Sequence, residues 1–403
     1  MNAQNITNGD TTIFKKKNYY PKFKIFKETF LSLIFDLGGL IAGAIMGYYV
    51  SLISVKTWAI AIYPIVLTGR GALNGILGGK LSTGLHLGLI NTNIKKNTKY
   101  FYSLLASLCL ISLITSFIVG IIAFIITGAL IEDLYTIVIS CIAIQALTIL
   151  ITIPITSVLG FITFKRGIDP DIVVFPISST VADIWATISY LITLSMVFWF
   201  GSLGMSIIYF ISLFFIIFVI VLAFLFRRER EYWYTLKEAL FTILIITLIS
   251  AISGFSLSKM RDYIKKSPGI IVVYPALIDT LGDAAAIFGS ISTTKLFIGF
   301  IKSKIGQIRR QTGILSQILI ATFLFYIIYG FIAFIYEKTL ISFFMPIFSF
   351  LLCFPIVIII TFIMAILTFT KGMNPDNFVI PIETALTDAI FTVVIATLII
   401  LLY

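Results

Sequence analysis

The residues of this chain that could do chemistry are carboxylates set deep in apolar runs, and they come in pairs. Asp169-Pro170-Asp171 leads through Pro176 to Asp183, and Asn374-Pro375-Asp376-Asn377 leads through Pro381 to Asp388. The landmarks recur after 205 residues: Pro170 and Pro375, Asp171 and Asp376, Pro176 and Pro381, Asp183 and Asp388. A carboxylate in a bilayer is costly unless something positive meets it, so the duplication points to a cation site on a pseudo-symmetry axis. Two facing carboxylates in low dielectric either hold a proton between them or accept a divalent cation that keeps both ionised. Ser179 and Thr384 stand four residues before the paired aspartates, on the same helical face. Their hydroxyls could serve an ion or its waters, or bond back to the helix.

Further polar residues fall on other apolar segments. Asp36 opens Asp36-Leu37-Gly38-Gly39, and Asp279 and Asp283 lie one helical turn apart in Asp279-Thr280-Leu281-Gly282-Asp283. The matching stretch 211 residues earlier is Thr68-Gly69-Arg70-Gly71-Ala72, where the acids are gone and Arg70 appears. Two readings of Arg70 stand side by side. It pairs with a second-half aspartate across the axis, as a charge-compensating or coupling group, or it snorkels or caps a helix. Glu383 has no acidic mate, because Ser178 occupies its place in the first half. Gly69, Gly71, Gly75, Gly78 and Gly79 suit close helix approach. One histidine, His86, cannot build a histidine metal site. Cys109, Cys141 and Cys353 all sit in apolar runs without disulfide or thiolate spacing.

The elements that must position these groups follow from composition. Hydrophobic residues make up 59% of the chain and charged residues 12%, against about 25% charged in soluble domains. Mean hydropathy is +1.09. The chain is therefore expected to be an all-α polytopic membrane protein. Eleven spans are expected, at 30–54, 58–90, 101–128, 134–164, 171–199, 203–226, 236–258, 269–301, 314–336, 340–369 and 377–403. The Gly-rich spans 58–90 and 269–301 are expected to be broken or re-entrant. Asp183 and Asp388 lie 12 and 11 residues into their spans, which is ~16–18 Å and near the midplane.

Orientation follows from the basic residues. With the N-terminus in the cytoplasm, 20 of the 29 Lys and Arg residues fall inside, 6 fall outside and 3 lie within spans. The net charge of +11 is thus a topology signal, compatible with anionic lipid and not with nucleic acid. This places the protein in the cell membrane with a cytoplasmic N-terminus and an outside C-terminus. Residues 1–26 are expected to form a cytoplasmic basic tail, without the features of a signal peptide. Residues 27–200 form a first five-helix repeat, 201–230 a linker helix and 231–403 a second repeat. Lys27-Glu28 returns as Lys237-Glu238, Tyr63-Pro64 as Tyr274-Pro275, and Pro154 as Pro355. An odd number of spans per repeat inverts the chain, and the unpaired sixth span restores it. The two repeats are therefore parallel, about a pseudo-two-fold axis along the membrane normal.

These motifs resemble the transmembrane domain of MgtE-type magnesium transporters, and more closely the fused two-repeat form of MgtE-like solute carriers and their prokaryotic relatives. Asn/Asp-Pro, then Pro, then Asp on the fifth helix of each unit carries the resemblance, here as Asp169-Pro170, Pro176 and Asp183 and as Asn374-Pro375, Pro381 and Asp388. The Pro-led, Gly-rich second helix is matched by Pro64, Arg70-Gly71-Ala72 and Gly78-Gly79-Lys80-Leu81-Ser82-Thr83. Its second copy is Pro275, Leu281-Gly282-Asp283 and Gly289-Ser290-Ile291-Ser292-Thr293. The resemblance covers about residues 27 to 403. It implies a pore along the two-fold axis with Asp183 and Asp388 as the central magnesium site. The chain departs from the family where the second-helix Gly-Asn becomes Gly71-Ala72 and Gly282-Asp283, and the cytosolic sensor domains of the homodimeric transporters are not expected.

The expected function is transport of a divalent cation, Mg²⁺, as the carried ion and not as a cofactor. Mg²⁺ keeps waters and binds through one or two carboxylates, which suits a wide site. Asp183, Asp388, Asp36, Asp279, Asp283, Ser179 and Thr384 are the candidate ligands. No cofactor and no enzymatic activity are expected, one chain should hold a whole pathway as a monomer, and Na⁺ or H⁺ coupling is open. A carrier for a small organic solute is the alternative, and an intramembrane aspartyl protease a remote one. Thr280 precedes Leu281-Gly282-Asp283 where that protease has glycine, and Pro275-Ala276-Leu277 lies before the aspartate on the same segment.

Overall fold

A computed structural model describes residues 23–402, apart from 167–169, 265–266, 298 and 372–374. For 170–177, 238, 264, 297 and 375–381 it describes helix backbone alone. Asp169 and Asn374, and the side chains of Asp171, Pro176, Asp376 and Pro381, therefore lie outside what is described.

The described residues fold into helices without a strand. In chain order these are α1 (Lys24–Leu33), a 3₁₀ turn (Phe35–Gly38), α2 (Gly39–Tyr48), α3 (Val50–Ile53), α4 (Thr57–His86), α5 (Lys99–Thr127), α6 (Ile131–Lys165), α7 (Pro170–Trp199) and α8 (Gly201–Phe226). There follow α9 (Arg230–Lys259), α10 (Arg261–Ile264), α11 (Pro268–Phe297), a 3₁₀ helix (Ile305–Gln311), α12 (Thr312–Glu337), α13 (Leu340–Lys371) and α14 (Pro375–Leu402). Among the described residues eleven helical stretches are long and apolar enough to cross a membrane, the first running from Lys24 to Tyr48 through the 3₁₀ turn. The chain is an all-α polytopic membrane protein.

Two expectations about irregular helices are corrected. The spans expected to be broken, 58–90 and 269–301, are the continuous 30-residue helices α4 and α11, with Pro64 and Pro275 inside them. A bilayer offers the backbone no water, so the helix persists through glycines that would weaken it elsewhere, and each proline removes a single donor. The irregularity lies in the first span. Gly39 N–H turns to the Asp36 carbonyl, and the Thr180 hydroxyl of α7 donates to the Phe35 carbonyl at 3.1 Å. A side chain from another helix thus replaces a backbone donor and tightens one turn.

Packing repeats about an axis. The first helix of each repeat lies between its own fifth helix and the other repeat's second helix: α2 between α7 and α11, α9 between α14 and α4. Glycine makes both crossings close. A Cβ on Gly43 would overlap the Val272 carbonyl oxygen, and one on Gly254 would stand 2.5 Å from the Ala61 carbonyl oxygen. Gly43 and Gly254, like Ala61 and Val272, are 211 residues apart, so the contact is made twice. Small-residue crossings of this kind bring backbones together where lipid supplies no hydrophobic drive. α4 and α11 are the central helices, with 78% of their apolar windows buried, against 22% for α8. The linker α8 packs on α5, α6 and α7 and turns Phe210, Phe214 and Phe224 outward, as a lipid-facing helix does.

Arg261, in the basic stretch after α9, has a local role. Arg261 donates from Nε to the Ser54 carbonyl at 2.8 Å and from Nη2 to the Val55 carbonyl at 2.7 Å. It closes the carbonyl end of α3, where a helix leaves acceptors unpaired.

Candidate ion site

Four helices bring the polar groups to the axis: α4 and α7 from the first repeat, α11 and α14 from the second. Asp183 on α7 and Asp388 on α14 are both buried, 3% and 6% exposed. Each is followed one turn later by a threonine that bonds back to it. Thr187 Oγ1 donates to the Asp183 carbonyl at 2.8 Å and Thr392 Oγ1 to the Asp388 carbonyl at 2.6 Å. Each threonine also meets a tyrosine of the second helix of its own repeat, Tyr63 to Thr187 at 3.0 Å and Tyr274 to Thr392 at 2.8 Å. The two aspartates thus sit on matching scaffolds. Sequence reasoning stopped one turn short of these threonines, although both stand four residues after the aspartate.

The scaffolds match and the carboxylates do not. Asp183 is ion-paired with Arg70 Nη2, both side chains being buried, and Arg70 Nη1 donates to the Ser179 carbonyl at 3.3 Å. Arg70 neither snorkels nor pairs directly with a second-half aspartate: its ion-pair partner is Asp183 of its own repeat. α4 and α7 are neighbours within one repeat, so the guanidinium reaches Asp183 without crossing the axis. Ser179 is engaged there through its backbone. Asp388 accepts from Thr68 Oγ1 at 2.9 Å, and Thr68 also donates to the Pro64 carbonyl at 3.0 Å. This bond crosses from one repeat to the other.

The second-half acids extend the cluster. Asp279 is the counterpart of Thr68 and stands against Asp183, so the same crossing is made from both sides. Asp36 stands against Thr280 and Asp283. Thr384 lies beside Gly282, where an added Cβ would meet its Cγ2 at 3.6 Å. Among the described residues no three His, Cys, Asp or Glu side chains converge as a metal cage. The donor set still fits an ion that arrives with its own waters and uses one or two carboxylates.

One helical turn away the two repeats solve one problem differently. In the first, Asn74 bridges Thr156 and Ser178: it accepts from Thr156 Oγ1 at 2.6 Å and donates to Ser178 Oγ at 2.9 Å. In the second, Ala285 replaces the asparagine, and Glu383 reaches Thr361 directly at 2.6 Å. Glu383 is thus held by α13, away from Asp388's hydroxyl partner. Asn74 was not singled out in the sequence, since an asparagine without an acidic partner gives no signal there.

Toward the starts of α4 and α11 the axis is apolar. Ile60 and Ile271, Tyr63 and Tyr274, Met46 and Leu257, with Ile53, line a cavity of about 10 Å³, which is room for about one water. Each named pair is 211 residues apart, so this apolar layer lies on the pseudo-symmetry axis. His86, by contrast, closes the last turn of α4, its Nδ1 2.9 Å from the Ser82 carbonyl and its ring against Phe164.

The family model described as MgtE, divalent cation transporter, matches residues 63–193 and 274–398. The two segments begin 211 residues apart and end 205 apart, the displacements read from the second-helix and fifth-helix motifs. Together they span more than half of the chain. Neither the curated proteins nor the solved structures compared with it give a match. On two matched repeats that carry the buried aspartates and the helices that hold them, this chain belongs to the MgtE family of divalent cation transporters.

Proposed function

We propose that the chain carries Mg²⁺ along the pseudo-two-fold axis between its repeats, with Asp183 and Asp388 as the central ligands and Asp279 beside them. The observation that carries this is the matched pair of buried aspartates, one in each repeat, each on a Tyr–Thr-braced turn. Mg²⁺ fits because carboxylates, hydroxyls and retained waters are the ligands it takes, whereas softer metals would want the His and Cys that the cluster lacks. Arg70 acts as a tethered cation: it neutralises Asp183 until a divalent ion competes for that carboxylate. Such a built-in competitor suits coupled exchange with Na⁺ or H⁺ better than free diffusion. The apolar plug of Ile60, Tyr63, Ile271 and Tyr274 closes the outer end of the path by excluding water. The N-terminus lies in the cytoplasm, as the distribution of Lys and Arg implies, and one chain is the transport unit, in place of a homodimer.

The test is Mg²⁺ uptake into proteoliposomes holding the full chain, with and without an opposing Na⁺ or pH gradient. Uptake above that of protein-free vesicles, accelerated by one gradient, is expected. Uptake equal to empty vesicles overturns the reading, and thermal stabilisation by an organic solute but not by Mg²⁺ would move the assignment to a solute carrier.

A further inference from the structure

We infer that the chain has a second, off-axis cation site between its first helix and α11, built from Asp36, Asp283 and Thr280, which takes a small monovalent cation stripped of its water. The inference rests on the transport reading above for its purpose, and on separate observations for its existence.

Asp36 is nine-tenths buried, and its Oδ2 has no hydrogen-bond partner among the described residues. A buried carboxylate oxygen left unpaired costs the full desolvation of that group, so such an atom asks for a ligand. The charged groups facing Asp36 are Asp283 and Asp279, and those facing Asp283 are Asp36, Asp183, Asp279 and Asp388. All are acids. The nearby Arg70 is committed to Asp183 and the Ser179 carbonyl. Two carboxylates side by side in low dielectric repel each other until a positive charge joins them.

The geometry is fixed by packing that does not need the acids. Gly39 and Gly43 press α2 onto the backbone of α11 at Ala276 and Val272, and Asp36 continues that face one turn on, against Thr280 and Asp283. The equivalent crossing of α9 on α4 is equally close, at Gly254 on Ala61. There Thr247 stands for Asp36, Gly69 for Thr280 and Ala72 for Asp283. Thr247 simply bonds back to the Ile243 carbonyl at 2.7 Å. α9 also runs without interruption, whereas the first span tightens into a 3₁₀ turn at Phe35–Gly38. One of two equivalent crossings thus carries an acid pair, a hydroxyl and an irregular backbone turn, and the other shows that the fold does without them. Irregular turns in spanning helices are where coupling ions are held.

Close packing sets the ion's class. Mg²⁺ demands octahedral geometry and keeps several waters, and at Gly39 and Gly43 the backbones of α2 and α11 meet too closely to leave room for them. A monovalent cation is the species that can shed its water there. Asp283 is less buried than Asp36, and it is the side from which the ion enters.

The test uses the purified full chain in detergent and Na⁺ as the probe, with N-methyl-D-glucamine at equal ionic strength as the control. A saturable rise of the unfolding midpoint with Na⁺ is expected for wild type and for Asp183→Asn, and its loss in Asp36→Asn and Asp283→Asn. Thr280→Val, which leaves both charges in place, should shift the half-saturating Na⁺ concentration several-fold upward. It keeps the test alive should an aspartate variant not fold. Binding of radioactive Na⁺ to wild type, undiminished by millimolar Mg²⁺, is the second expected result. No Na⁺ response in wild type, an undiminished response in both Asp36→Asn and Asp283→Asn, or full displacement of Na⁺ by Mg²⁺ overturns the site. Failure of Mg²⁺ transport in protein that still binds Na⁺ would sink the transport reading alone.

Discussion

The two repeats of this chain share their helix crossings and differ in their chemistry. Gly43 on Val272 repeats Gly254 on Ala61, and Tyr63 with Thr187 repeats Tyr274 with Thr392. Yet Arg70 faces Leu281 in the alignment of the repeats, Asp36 faces Thr247, and Asn74 with Ser178 faces Ala285 with Glu383. The backbone contacts must be kept twice because glycine-mediated crossings leave no room for change. The polar groups are free to diverge, because fusion gives each half its own copy. The first repeat sets a fixed positive charge, Arg70, beside its own Asp183, and the second adds Asp279 and Asp283 where the first has Thr68 and Ala72, so an axis that is symmetric in shape is polarised in charge.

The largest effect should come from breaking the buried Arg70–Asp183 ion pair. Arg70→Leu copies the second repeat and leaves Asp183 without its partner. It should cost about 3–5 kcal/mol in unfolding measurements, and adding Asp183→Asn should return most of that loss. A single variant as stable as wild type would mean that Asp183 has another counter-charge. Next come the crossings. Gly43→Ala and Gly254→Ala should each lose about 1–3 kcal/mol by overpacking. Gly69→Ala and Gly79→Ala, where an added Cβ meets nothing within 4 Å, should stay within about 0.5 kcal/mol of wild type. Equal costs at all four positions would break the distinction between glycines at a crossing and glycines with open space beside them. Asn74→Ala should cost about 1–2 kcal/mol, because Thr156 and Ser178 lose their shared partner. Asn74→Ala with Ser178→Glu, which transplants the second repeat's solution, should recover part of it. The smallest effect is expected for Thr68→Val, about 1 kcal/mol for one hydrogen bond to Asp388, measured in the same denaturation series.

Much of this arrangement was legible in the sequence. The repeat register came from Pro170, Pro176, Asp183 and their copies, because motifs that recur at fixed displacement reflect one supersecondary unit used twice. Eleven spans followed from apolar length alone, since the bilayer fixes how long a helix must be. What stayed hidden depends on contacts between helices. That α4 and α11 run unbroken through Pro64 and Pro275 reflects the bilayer's demand for internal hydrogen bonds, which outweighs local helix-breaking propensity. The tightened turn at Asp36 is made by Thr180, a residue 144 positions away. Arg70's choice of Asp183 over Asp279 or Asp283 depends on which helix lies nearest, which composition does not encode. The cross-repeat bond from Thr68 to Asp388 needed the axis to be drawn before either residue could be paired.

The most direct test of the central claim is Mg²⁺ flux into proteoliposomes for Asp183→Asn and Asp388→Asn beside wild type, with folding checked in the same preparations. The account predicts that both variants stay folded and lose flux, because each removes one of two ligands at the axis. If both conduct like wild type, the paired aspartates only brace the helices, and the ion takes a path that does not run between the repeats.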